Sequence, residues 1–240
     1  MPATFINVLL ILLGGAAGLL FKNLISDRLM SILTHALGLC VLCIGIGNAV
    51  GTQNMLCVVV CMVIGTVMGS AADIEGRLER AGDLLRIKVV KEEGGGSRFT
   101  ESFVNAALLF CVGAMAITGS IEAGLNHNYS IIISKGVIDG VTSISFAATM
   151  GAGVMFSVIP LLIYQGGITL LAGWVGPYLP QAVITEMTAV GGALIIAIAV
   201  NMLELGKQKI KVGNMLPAIF LPIAYIPLSG WLQTLLSGML

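Results

Sequence analysis

Asp139 is the first residue that demands a chemical reason. It stands in KGVIDGVTSISFAATMGAG, an apolar stretch whose other charge is Lys135, one helical turn earlier. A carboxylate in such a run is costly in lipid and normally faces a bundle interior or a wet cavity. Two readings are open: Asp139 binds a cation or proton, or it neutralises Lys135 as an i,i+4 pair. Gly136, Gly140, Ser143 and Ala147 share one helical face, and small residues there let another helix approach closely. Gln165, in SVIPLLIYQGG, falls near the middle of a second run, shortly after Pro160, which removes a backbone donor and bends the chain. Broken helices of this kind expose polar backbone where ions and solutes bind. Glu186 in ITEMTAVGG and Asn201 near the end of the same run complete the set, so Asp139, Ser143, Gln165, Glu186 and Asn201 are the candidate ligands for a solute or ion. Each of the last two has a plainer reading. Glu186 can be solvated at the interface, and Asn201, like Asn48, can tie neighbouring helices together. His35 reads as a hydrogen-bonded interior residue.

Other chemistries lack their signatures. The chain holds no G-x-x-x-x-G-K-[ST] phosphate loop, no G-x-S-x-G elbow and no H-E-x-x-H helix, so an ATP-driven pump is unsupported and no enzyme is expected. The five cysteines, at 40, 43, 57, 61 and 111, lie in apolar segments and form no secreted disulfide framework. Cys40-x-x-Cys43 and Cys57-x-x-x-Cys61 can in principle face a metal, but cysteine packs well as a small hydrophobe, and neither metal nor cofactor is expected. Twelve basic and twelve acidic residues cancel, which gives no reason to expect nucleic acid as a partner.

The elements that must carry these residues are membrane helices. The 240 residues are 57% hydrophobic and 10% charged, against about 25% charged in soluble domains. Burying that apolar surface requires a lipid bilayer as partner. The fold class is therefore all-α, a polytopic transmembrane helix bundle in a single domain over residues 1–240. Runs of apolar residues place helices at roughly 3–21, 29–50, 54–71, 102–121, 131–149, 154–174, 183–204 and 214–236. The start of the chain has an apolar run without the preceding positive stretch of a secretory signal, and reads as the first membrane helix.

The fifth helix is the doubtful one, because residues 131–174 can also be one long bent pass, giving seven. Loop charge favours eight. Cytoplasmic loops concentrate Lys and Arg, and Arg77, Arg80, Arg86, Lys88, Lys91 and Arg98 put the segment 72–101 inside. The loop with Lys207, Lys209 and Lys211 is then also inside only if 131–174 crosses twice. A weak repeat agrees: Gly14-Gly15 matches Gly166-Gly167, Thr34 and Gly38 match Thr188 and Gly192, and GTQN at 51 matches GKQK at 206. With eight passes, helices one to three and six to eight run in opposite senses, as in the inverted repeats of secondary transporters. The alternative is chance likeness between apolar helices. Within 72–101, Ile74, Leu78, Ala81, Leu84 and Leu85 have helical spacing, which predicts an amphipathic helix on the inner membrane surface, with Asp73 and Arg77 paired, followed by the Gly-rich linker EEGGGS.

Several phrases carry a family likeness: ESFVNAALLFCVGAMAITGSIEAGL at 101, KGVIDGVTSISFAATMGAGVMFSVIPLLIYQGGITLLA at 135, TEMTAVGGALIIAIAVNMLEL at 185 and LPAIFLPI near the end. They resemble the YqgA/YdfK family of bacterial inner-membrane proteins, a domain of unknown function, over most of the chain. The resemblance implies a multi-pass protein of the bacterial plasma membrane and brings no substrate or catalytic residues with it.

From the residues, the expected activity is that of a small secondary transporter or exporter of a cationic or cation-coupled solute. Alternatives are an ion channel, or a membrane organiser or sensor acting through the amphipathic segment 72–90. The expected partners are lipid and an unidentified small solute or ion, and a homo-oligomer is compatible with the sequence.

Overall fold

The computed structural model describes residues 1–22, 26–78, 80 and 96–237, which are helical with no strand among them. The helices are α1 (Pro2–Lys22), α2 (Asp27–Ala49), α3 (Met55–Ala71), α4 (Gly96–Cys111), α5 (Ala114–Leu125), α6 (Ser130–Met150), α7 (Gly153–Phe156), α8 (Val158–Leu170), α9 (Ala172–Val175), α10 (Gln181–Met202) and α11 (Pro222–Ser237), with a 3-10 stretch at Val212–Phe220. Among the described residues, five spans are long and apolar enough to cross a membrane: α1, most of α2, α6, the α7–α8 pair and α10. Counting each of two bent pairs as one span raises this to seven, and α3 adds a shorter apolar helix. The protein is an all-α polytopic membrane bundle.

The breaks have local causes. The expected fourth helix at 102–121 is two helices, α4 and α5, bent by 58°, because Gly113 adopts φ 126°, outside the range ordinary residues accept. Gly151, at φ 96°, ends α6 and separates it from α7, so residues 131–174 hold two distinct candidate spans, α6 and the α7–α8 pair. Pro160 has no N–H for the Phe156 carbonyl, and α7 stops at Phe156. The expected eighth helix at 214–236 starts as the 3-10 stretch, which contains Pro217, and turns by 43° into α11.

Glycines set the packing. Gly14 on α1 lies against the Gly140 carbonyl and Ser143 of α6, with no room for a methyl group between them, and Gly18 lies against Ile144 and Ala147. The small face expected on Gly136, Gly140, Ser143 and Ala147 is thus the seam with α1. Residue numbers rise together along it, so α1 and α6 run parallel. The α2–α10 seam has the opposite sense: Gly38 meets Leu203 and Met202, while Gly192 meets Ala49 and Asn48. On α3, Gly65 meets Ala218 and Gly69 meets Asn214, again antiparallel.

Two local expectations are corrected. Asp73 pairs with Arg80 at 3.4 Å rather than with Arg77, since its φ of 47° turns the chain before the helix at 74–78. His35 is on the exposed face of α2 rather than in the interior. Of the amphipathic segment, positions 79 and 81–95 lie outside the described residues. The described part is docked by Glu75, whose N–H donates to Asn214 Oδ1 at 2.9 Å and whose carboxylate accepts from the Gly213 N–H at 2.6 Å.

Candidate functional site

Among the described residues, a group of buried polar side chains is drawn from three helices, α1, α6 and α8. The parallel seam of α1 and α6 brings Asn7 against Asp139, and the Asn7 Nδ2 donates to Asp139 Oδ2 at 3.1 Å. The same nitrogen donates to Gln165 Oε1 of α8, also at 3.1 Å. Lys135 Nζ donates to Asp139 Oδ2 from one turn up α6. Both partners are almost wholly enclosed, with Lys135 at 5% and Asp139 at 6% exposure, while Asn7 and Gln165 are at 0%. The structure therefore forms the i,i+4 ion pair and places it inside a polar cluster rather than alone.

The cluster is incompletely satisfied. Asn7 Oδ1, Gln165 Nε2 and Thr4 Oγ1 are buried and find no hydrogen-bond partner among the described residues. Thr4 lies one turn before Asn7 on the buried face of α1, beside Ala3, which packs with Ile132 of α6. Buried polar groups are nearly always paired, and a native exception marks strain, a bound species or a working site. Two such atoms in the cluster, with a third one turn along the same face of α1, make it a place where a polar or charged guest gains hydrogen bonds that the protein alone does not make.

Ser143 belongs to the seam below the cluster. Its hydroxyl donates to the Ile11 carbonyl at 3.0 Å and to the Gly140 carbonyl at 2.8 Å, which ties α1 to α6. Asp139, Ser143 and Gln165 are thus assembled on one side of the molecule. Glu186 and Asn201 are not brought to them. Glu186, at 2% exposure, accepts from Thr52 Oγ1 at 2.6 Å and from the Gln53 and Asn54 N–H groups at 2.8 and 3.1 Å. Asn54 is the N-cap of α3, so this carboxylate fastens the turn between α2 and α3. Asn201 closes its own loop, exchanging two hydrogen bonds with the Ile210 backbone at 2.9 and 2.8 Å. Sequence reasoning missed Asn7 and Thr4. Their signal was the spacing of Thr4, Asn7, Ile11 and Gly14, one buried face of the first helix.

Among the described residues, two cavities have none of the cluster residues in their walls. One, of about 200 Å³, is lined by apolar residues of α4, α8 and the 3-10 stretch, with Tyr164 and Cys111 at its wall. The other, of about 310 Å³, is lined by Thr118, Glu122, Gln181 and neighbours at the ends of α5, α9 and α10. Among the described residues no three His, Cys, Asp or Glu side chains converge as a metal site.

A protein-family description, "Protein of unknown function (DUF554)", matches residues 2–226. The chain belongs to the DUF554 family. Two DUF554-like relatives cover nearly all of it. The uncharacterized membrane protein YdfK of Bacillus subtilis strain 168 is 32% identical over 228 residues, 92% of this chain and 94% of its own length. The uncharacterized protein YqgA of Escherichia coli K12 is 30% identical over 221 residues, 90% of this chain and 92% of its own. No solved structure matches. The family likeness read from the sequence is borne out, and the membrane assignment of the YdfK relative agrees with the apolar helices seen here.

Proposed function

We propose that this DUF554 protein is a small secondary transporter of the bacterial inner membrane, moving a cationic or cation-coupled solute through the Asn7–Asp139–Gln165 cluster. The observation that carries this reading is the cluster's imbalance: one enclosed carboxylate, one enclosed ammonium, and three buried polar atoms without partners. A purely structural ion pair needs only its own hydrogen bonds satisfied. This one sits among groups that still have bonds to give.

The helix directions support an eight-pass arrangement. With alternating passes, the first and fifth helices run the same way, the second and seventh oppose, and the third and eighth oppose. The seams of α1 with α6, α2 with α10, and α3 with the 212–220 stretch have those senses. A single pass over 131–174 would make α2 and α10 parallel. Gly38 and Gly192, matched by sequence, lie at opposite ends of the antiparallel α2–α10 seam, as an inverted repeat requires. In this arrangement both termini lie outside the cytoplasm and the loops at 72–101 and 205–213 lie inside. Cysteine labelling of single-cysteine variants checks it. A cytoplasmic C-terminus with an external N-terminus would remove the inverted repeat.

The deciding experiment is reconstitution in liposomes with a panel of inorganic cations, amines and amino acids. The expected result is saturable uptake that accelerates when unlabelled solute is placed on the far side. Flux that follows the gradient without saturation would make the protein a channel instead.

A further inference from the structure

We propose, building on the transporter reading, that the solute is a primary ammonium cation and that Lys135 is a tethered stand-in for it on Asp139. The chain already seats such a group there, since the lysine side chain ends in –NH3+ and donates to Asp139 Oδ2. An ammonium of this type has three N–H donors and no acceptor. The acceptors left over in the cluster are oxygens: Asn7 Oδ1 and Thr4 Oγ1 have no partner, and the Asp139 bonds from Asn7 and Lys135 both fall on Oδ2, leaving Oδ1 over. One carboxylate oxygen and two neutral oxygens match three donors and one positive charge.

Other cations fit less well. A quaternary ammonium has no N–H to donate and is held by aromatic faces, whereas Thr4, Asn7, Lys135, Asp139 and Gln165 offer none. A guanidinium brings five donors in a planar fork, more than the three oxygens counted here accept one to one. Gln165 Nε2 is a donor and stands outside this count.

The stand-in also sets how the site fills. One carboxylate in an apolar interior does not neutralise two cations, so an arriving ammonium takes the place on Asp139 only as the Lys135 ammonium vacates it. The other elements around the pair contribute neutral groups, Thr4 and Asn7 from α1 and Gln165 from α8. Cys111 of α4 is a further titratable group within electrostatic reach of both partners, and Tyr164 of α8 lines the same cavity as Cys111.

Three measurements on the full chain test this. In proteoliposomes, radiolabelled ethanolamine, which carries a single primary ammonium, should exchange faster than in protein-free vesicles, and Asp139→Asn should abolish the difference. In detergent, Lys135→Ala should melt below wild type and be restored by propylammonium, with a half-saturating concentration about tenfold lower than in wild type. Tetramethylammonium and sodium should not restore it. The double variant Lys135→Ala with Asp139→Asn removes both charges and should recover folding without any response to propylammonium. Absence of restoration, equal restoration by tetramethylammonium, or ethanolamine exchange no faster than in bare vesicles would overturn the assignment. Exchange of a different solute that is lost in Asp139→Asn would keep the transporter reading and discard the ammonium.

Discussion

Asp139 and Glu186 are both carboxylates buried in membrane helices, and the bundle treats them in opposite ways. Glu186 accepts three hydrogen bonds from the 52–54 turn, two of them from backbone N–H groups at the start of α3. A helix N-terminus is short of acceptors and carries partial positive charge, so the charge and the donors settle each other locally. Asp139 is answered instead by a lysine on its own helix and by a single amide from α1. Around Asp139 there are unpaired atoms, whereas both oxygens of Glu186 are bonded. The contrast teaches that burial alone does not mark a working carboxylate. Its surroundings must also have bonds left to make.

The largest expected effect comes from breaking the less satisfied of the two. Asp139→Asn strands the Lys135 ammonium and should cost about 3–5 kcal/mol of stability, read as a lowered melting temperature, together with loss of flux. Lys135→Met combined with Asp139→Asn should recover most of the stability and none of the flux. Wild-type flux in that double variant would make Asp139 as structural as Glu186. Next, Glu186→Ala removes a charged acceptor from three donors and should cost about 3 kcal/mol, while flux per folded molecule stays near wild type. Loss of flux at unchanged melting would erase the distinction between the two carboxylates.

A smaller effect tests whether the cluster depends on the close α1–α6 approach. A methyl group at Gly14 would meet the Gly140 carbonyl and Ser143 Oγ, so Gly14→Ala should cost about 2 kcal/mol as the helices separate. Flux should fall as Asn7 draws away from Asp139. The smallest effect belongs to Ser143→Ala, about 0.6 kcal/mol, the usual worth of one hydrogen bond between membrane helices. Its transport should be unchanged if Ser143 only ties the seam.

Much of this organisation was legible in residue order. Charge at Lys135 and Asp139 in an apolar run forced the question that the structure answers with an ion pair, and the spacing of Gly136, Gly140 and Ser143 marked the face that α1 covers. Gln165 stood out as a polar residue just after a proline. What residue order did not disclose was which faces meet. Asn7 carries no charge and sits in an otherwise apolar helix, so only its contact with Asp139 gives it a role. Glu186 and Asn201 looked like members of the same set because each is polar in a long apolar helix, yet the antiparallel seam with α2 turns Glu186 to the 52–54 turn and leaves Asn201 to its own loop. The bend at Gly113 depends on a backbone angle rather than on composition, which is why one helix was expected where two stand.

The long reach of Asn7 has a consequence for how the chain is made. Its two partners lie 132 and 158 residues further along the sequence. At synthesis rates of about 5–20 residues per second, α1 waits roughly 8 to 30 s after it emerges before Gln165 follows. Until α6 is made, a helix bearing an amide and a glycine-lined face has no partner there to receive it, and lipid offers neither hydrogen bonds nor a matching surface. Asn7 therefore waits until more than half of the chain is made before either of its partners exists.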